Sequence, residues 1–352
     1  MLDFSFSAGH EGPGGMLPLG PEYLLNSDDH LVPIMSGPGL AAGHGGGPGG
    51  GTVTTTSGAG SPASTLVGSS TGLQIDLIWD SSVKTSANWQ AIEQSVITAA
   101  QLYTSTFSNH VVLNIDVGFG EVDGSKLSAN DLGESESDGY ITNYNTIENA
   151  LANSDAALIH SGVMSANAVQ SLQSLKGENF FLTSAEAKAM GLVGASSAVD
   201  GYIGLTSSSL LSFVTPGQTV PSSQYDAVGV AAHEISEVMG RLGMQGQSLS
   251  TYRDVYTPLD VFRYSSANTP DIHPTTGYFS LNDGKTNLGT YNNPANGGDA
   301  SDWASLSTDT RDAYDAFDNP GVTTQVTAND LLEVASLGYQ VAPGVTLTTQ
   351  TA

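Results

Sequence analysis

From residue 74 the apolar positions fall into two alternating periods. Ile75, Leu77 and Trp79 occupy every second position, as the buried face of a strand does. Trp89, Ile92, Val96, Ala100, Tyr103 and Phe107 then recur every three or four residues, which predicts an amphipathic helix with one apolar stripe. Val111, Leu113, Ile115 and Val117 return to a period of two. Strand, helix and strand in succession predict a mixed α/β or α+β domain.

The pattern loosens after this opening. Residues 131–140, Asp-Leu-Gly-Glu-Ser-Glu-Ser-Asp-Gly-Tyr, read as an acidic loop. Short helices are expected at 145–153 and 165–175, and Thr183 with Glu186 has the spacing of a capping box before another. Asp200-Gly201 predicts a turn leading into an extended Tyr202-Ile203-Gly204-Leu205. From Asp226 to Arg241 the chain predicts a deeply set helix, apolar ahead of His233 and ended by Gly240. Upstream, 36–73 is a Gly/Ser/Thr/Pro-rich tract that cannot bury enough side chain to offset its chain entropy. The expected division is a disordered leader or linker at 1–73, one domain at 74–340 and a tail at 341–352.

Charge narrows the function classes. Nine Lys+Arg stand against 35 Asp+Glu, a net charge of −26. So acidic a surface has too few cations to displace counterions from phosphate, which argues against nucleic acid and anionic lipid as partners and for solubility and cation binding, with a solvated acidic surface that has no partner as the alternative. There is no cysteine, so disulfides and thiolate metal sites are excluded. No segment has the run of about 18–20 apolar residues that a membrane span needs. The first residues, Met-Leu-Asp-Phe-Ser-Phe, lack the basic and apolar regions of a signal peptide.

The chemistry concentrates in the predicted helix. Residues four apart share one helical face, so His233 and Glu237 project to the same side, two metal-ligand types at the spacing of an H-E-x-x-E motif. Glu234, beside His233, can reach a water at such a metal and act as general base. The alternative is an ordinary i,i+4 ion pair between Glu237 and Arg241 on a surface.

This helix resembles the active-site helix of zincin metallopeptidases. The likeness is strongest to bacterial secreted metalloproteases carrying a His-Glu-Ile-Ser-Glu-Val-Met-Gly-Arg block, here 233–241, and a Pro-Leu-Asp-x-Phe-Arg-Tyr block, here 258–264. It covers roughly residues 74–340. It implies a zincin-like α+β domain with a mixed sheet, metal-assisted hydrolysis of protein or peptide, and an extracellular location. Glu237 and Gly243 stand where a metzincin places its second and third histidines, so a three-histidine site is impossible. A carboxylate-rich set holds Zn²⁺ with weaker Lewis acidity and admits Mn²⁺, or a structural Ca²⁺.

The expected third ligand is Asp260, in the first ordered-looking block after Gly240, Gly243 and Gly246; its alternative is a strand or turn carboxylate paired with Arg263 or Arg241. His273 lies in a turn-rich stretch, a poor platform for a ligand. Tyr256 and Tyr264 are candidates to stabilise an oxyanion, with packed aromatics as the alternative. Arg241 is the expected neighbour of the ligands. Residues 297–303 read as a loop with some capacity for Ca²⁺, and strand 202–205 as an edge that pairs with substrate. Two rivals remain: a catalytically silent zincin-shaped protein holding a structural cation, and an acidic extracellular adhesin.

Overall fold

The computed structural model describes residues 6–7, 32–34, 54–56, 63–128, 131–169, 173–213, 218–273, 276–296, 298–304 and 311–350. It is a mixed α+β structure. The largest sheet takes strands from much of the chain: β1 (Phe6–Ser7), β2 (Thr54–Thr56), β3 (Ser64–Gly68), β4 (Gln74–Trp79), β5 (Val112–Phe119), β6 (Gly133–Ser137) and β7 (Gly201–Leu205). Their order across the sheet is β1-β6-β7-β5-β4-β3-β2. Strands β4, β5 and β7 run parallel, while β6 lies antiparallel to β7 and β3 to β4.

The parallel centre follows from the sequence. Helix α1 (Trp89–Thr106) provides the crossover between β4 and β5 and buries Ile92, Val96, Ala99, Ala100 and Tyr103. Ile75, Leu77, Leu113, Ile115, Val117 and Ile203 meet it in one core and are closed to solvent. Complete burial of such a side chain contributes about 1.5–3 kcal/mol each. Helix α2 (Ala227–Val238) packs on the same core through Ala231, Ala232, Ile235 and Val238. Tyr103 ties the two helices by donating its hydroxyl to the carbonyl of Ala232 at 2.6 Å.

A second sheet joins Asn179–Thr183 to Gly139–Asn143 and, in parallel, to Tyr252–Tyr256. Helix α3 (Ala328–Ala335) closes the fold behind a capping box formed by Thr327 and Asp330. Among the described residues no helix is long and apolar enough to cross a membrane.

Four sequence expectations change. The acidic stretch 131–140 contains β6 and the start of Gly139–Asn143, so it is sheet rather than loop. Where a helix was expected at 165–175, the described residues form a turn up to 169 and a short 3-10 segment, Gln173–Leu175. Strand β7 is interior, paired with β5 on one side and β6 on the other, and offers no edge to a substrate. The ordered body begins before residue 74, because β3 pairs along β4 and places Val67 in the core. Of the expected leader, β1, β2 and Val32–Ile34 each pair with a sheet strand, and most of the rest lies outside the described residues. The C-terminal stretch is docked: Val341 bridges to Phe107, and the Ala342 amide donates to Thr106.

Candidate metal centre

Helix α2 starts at Asp226, whose carboxylate accepts from the Val228 amide at 3.1 Å. It stops in a Schellman motif: the Gly240 amide donates to the Glu237 carbonyl and the Arg241 amide to that of Ser236. Gly240 sits at φ +110°, and a Cβ there would stand 2.1 Å from Cδ of Glu186. Only glycine meets both conditions. The motif folds Arg241 back over the last helical turn, where its Nε donates to Oγ of Ser236 at 2.7 Å.

Within this frame His233, Glu237 and Asp302 converge, each offering one ligand atom within 4.8 Å of the others. Nε2 of His233 lies 3.4 Å from Oε1 of Glu237 and 3.2 Å from Oδ1 of Asp302. Its Nδ1 donates to the Ala313 carbonyl at 2.8 Å. That bond fixes the ring orientation and turns Nε2 toward the two carboxylates, where once deprotonated it could ligate a metal. Tyr314 packs edge-on against the imidazole, ring centroids 6.1 Å apart. Glu237 receives the Ser135 hydroxyl on Oε2 at 2.7 Å.

Among the described residues several atoms here are buried without a hydrogen-bond partner: Nε2 of His233, both oxygens of Glu234, Oδ2 of Asp302 and Oδ2 of Asp299. Orphaned buried polar atoms are costly and call for an explanation. Charge supplies one. Glu234, Glu237, Asp302 and Asp299, if all ionised, would face the buried guanidinium of Arg241, and a divalent cation would offset two of the three excess negative charges. One imidazole with two carboxylates suits zinc, and the oxygen-rich set suits manganese. The residues present therefore fit a divalent metal.

Without a cation the same crowding favours protonation: burial and then the Arg241 charge lower His233, but Asp302 and Glu237 outweigh them and raise it well above its ordinary range. Burial, then the Glu237 charge, push the Glu234 carboxyl well above its ordinary range. Asp299 is raised in the same sense by burial, then by Asp302 and Glu237. Burial also pushes Asp302 upward, but His233 and Arg241 more than offset this and hold it below the usual carboxylate range.

Of the residues singled out in the sequence, His233 and Glu237 are brought together, and Glu234 projects beside them. Arg241 reaches Glu237 at 3.4 Å and Asp302 at 2.7 Å, fully buried, so the surface ion pair is excluded. Asp260 is elsewhere engaged: one oxygen accepts from the amides of Met244, Gln245 and Thr257 at 2.9–3.1 Å. It closes the turn after the helix, and Asp302 takes the place in the cluster expected of it. His273 is exposed, as expected. Tyr256 packs on Phe180 and Tyr264 against Gly284, placements that lend the oxyanion role no support.

Asp302 was missed as a partner of the helix because its segment reads only as a loop. Its signal was a glycine-rich segment carrying Asp299 and Asp302, read above as a loop. Comparison with protein-family models, with curated proteins and with solved structures found no match to this chain.

Proposed function

We propose that this chain is a metal-dependent endopeptidase of the zincin class, with His233, Glu237 and Asp302 holding the cation and Glu234 as general base. One observation carries the reading: a buried three-residue cluster, two of its members on helix α2, stands beside a carboxylate of that helix, Glu234, that has no hydrogen-bond partner among the described residues. A divalent ion, when bound, supplies Lewis acidity toward a peptide carbonyl and an attacking water. Glu234 accepts the water's proton as attack begins and returns it to the departing amine. Among the described residues neither Glu234 oxygen has a competing hydrogen bond to surrender first. The Ala313 carbonyl keeps His233 in the tautomer that presents Nε2, and Arg241 offsets part of the carboxylate charge. The mixed sheet, with antiparallel β6 packed beside helix α2, is compatible with a zincin-like domain. Zinc is the expected ion, manganese the alternative, and extracellular protein or peptide the substrate.

The test combines elemental analysis with hydrolysis of a broad peptide library. The purified chain should carry about one zinc, as a single three-residue site holds, and should cleave. Glu234→Gln should keep the metal and lose cleavage, because an amide cannot accept the proton. No stoichiometric metal after incubation with zinc would retire the reading, and full activity in Glu234→Gln would move the base elsewhere.

A second reading, a silent relative of the same class holding a structural cation, is favoured by how closed the centre is. His233 is 3% exposed, and Glu234, Glu237 and Asp302 are at 0%. Stoichiometric metal with no cleavage by the unaltered chain would select it.

A further inference from the structure

Strand β6 contributes more to the centre than a boundary. Its residues alternate, and Ser135 faces helix α2, with its Oγ donating to Oε2 of Glu237 at 2.7 Å. Ser135 is completely buried, as is Glu237. The other oxygen of that carboxylate, Oε1, lies 3.4 Å from Nε2 of His233 and 3.4 Å from Nη2 of Arg241. The two oxygens therefore have different occupations, one toward the strand and one toward the ligand cluster. A carboxylate held this way turns Oε1, rather than Oε2, toward the ligand cluster.

Two residues earlier, Gly133 faces the same helix. A Cβ there would stand 2.4 Å from Oε1 of Glu234 and 2.8 Å from Cγ1 of Val230. One strand thus touches a ligand through a hydroxyl and makes room for the base through a missing side chain. Ser137, next on that face, is equally enclosed, but its hydroxyl has no partner among the described residues.

We propose that Ser135 is a positioning residue of the metal centre, holding Glu237 as a one-oxygen ligand; this rests on the metal reading above. A hydrogen bond to the outer oxygen of a ligating carboxylate orients it and tunes its donor strength, and loss of such a partner lowers metal affinity by roughly 10–100-fold. The effect belongs to Ser135 and not to small buried polar residues of β6 in general.

The experiment is a zinc titration against a competing chelator on the full chain and on Ser135→Ala, Ser135→Thr and Ser137→Ala. The expected result is a roughly 10–100-fold weaker zinc affinity in Ser135→Ala, with Ser137→Ala unchanged and Ser135→Thr, which keeps the hydroxyl, restored toward the parent. Equal affinity in Ser135→Ala and the parent would overturn the proposal while leaving the metal reading intact. Equal losses in Ser135→Ala and Ser137→Ala would also overturn it, since general loosening of the strand would then be the cause. If Ser135→Ala does not fold, Ser135→Thr decides: affinity near the parent supports the role, and a loss without unfolding overturns it. Failure of the parent chain to take up zinc would overturn the metal reading and this proposal together.

Discussion

Nη1 of Arg241 lies 2.7 Å from Oδ1 of Asp302, a residue 61 positions further along the chain. The same guanidinium nitrogen reaches the Ser301 carbonyl at 3.1 Å, and Nη1 of Arg263 donates to the Ala300 carbonyl at 2.7 Å. Both arginines are fully buried and stacked on tyrosine rings, Arg241 at 4.3 Å from the Tyr314 centroid and Arg263 at 4.0 Å from that of Tyr291. Two planar forks therefore clamp successive carbonyls of one loop, a task for arginine's rigid, delocalised cation. A loop pinned in this way holds a ligand to the tolerance expected of regular structure.

The first prediction separates Asp302 from Asp260. Asp302→Ala should lose zinc affinity beyond the roughly 10–100-fold typical of an outer partner, because it removes a ligand itself. Asp260→Ala should leave affinity close to the parent while lowering stability. It strands three buried amides, each worth about 1–3 kcal/mol when unsatisfied. Zinc titration and urea unfolding of the two variants check this, and the reverse pattern would restore Asp260 as the ligand.

Removing the Arg241 cation gives a second prediction. Arg241→Met leaves Glu237 and Asp302 buried without their fixed counter-charge, and breaking a buried pair of this kind costs about 3–5 kcal/mol. Urea unfolding under chelator should show that loss. Added zinc should recover part of it, since the ion supplies positive charge to the same carboxylates and binds only the folded chain. Recovery equal to that of the parent chain would mean that Arg241 and the metal act independently.

A third prediction concerns pH, away from the centre. Burial raises the Asp116 carboxyl from 3.8 to about 7, and the charges of Asp80, Glu121 and Asp123 add to it. The unfolded chain thus releases this proton at a lower pH than the folded one. Between about pH 4 and 7 the folded state binds more protons, so this group's contribution to stability falls as pH rises through that window. Asp116→Asn abolishes the ionisation. Its unfolding free energy relative to the parent should rise from pH 4 to pH 7 and then level off. A flat difference across that range would show that Asp116 titrates normally.

The sequence made some of these features readable and hid others for identifiable reasons. Helix α1 and strands β4 and β5 were legible because their burial is one-sided or complete and their residues apolar. Gly240 was legible as a helix terminator because a positive φ has few occupants. The Thr183–Glu186 capping box formed as its spacing implied. Strand β6 was hidden because Gly-Glu-Ser-Glu-Ser has no apolar alternation. Pairing with β7 and packing on helix α2 override a local composition that reads as loop. Asp302 was hidden for a topological reason: its approach to the helix depends on two arginine clamps and a chain path that no local pattern encodes.

The last prediction concerns where the folded body begins. Composition places the boundary at 74, since 36–73 is poor in residues able to form a core. Yet Ser64–Gly68 pairs over its whole length with Gln74–Trp79. Val67 is 1% exposed and Leu73 is at 0%, both within the main core. Thr65 also accepts the indole N–H of buried Trp79 at 2.9 Å. Removing this strand would leave a central parallel strand with an unpaired edge, an orphaned indole donor and a gap beside helix α1. A chain starting at residue 63 should therefore fold with a single cooperative thermal transition. One starting at residue 74 should aggregate or melt without cooperativity, because the exposed edge of Gln74–Trp79 is apolar and unprotected. Circular dichroism melting and size-exclusion chromatography of the two truncations would decide it, and equal behaviour would return the boundary to 74.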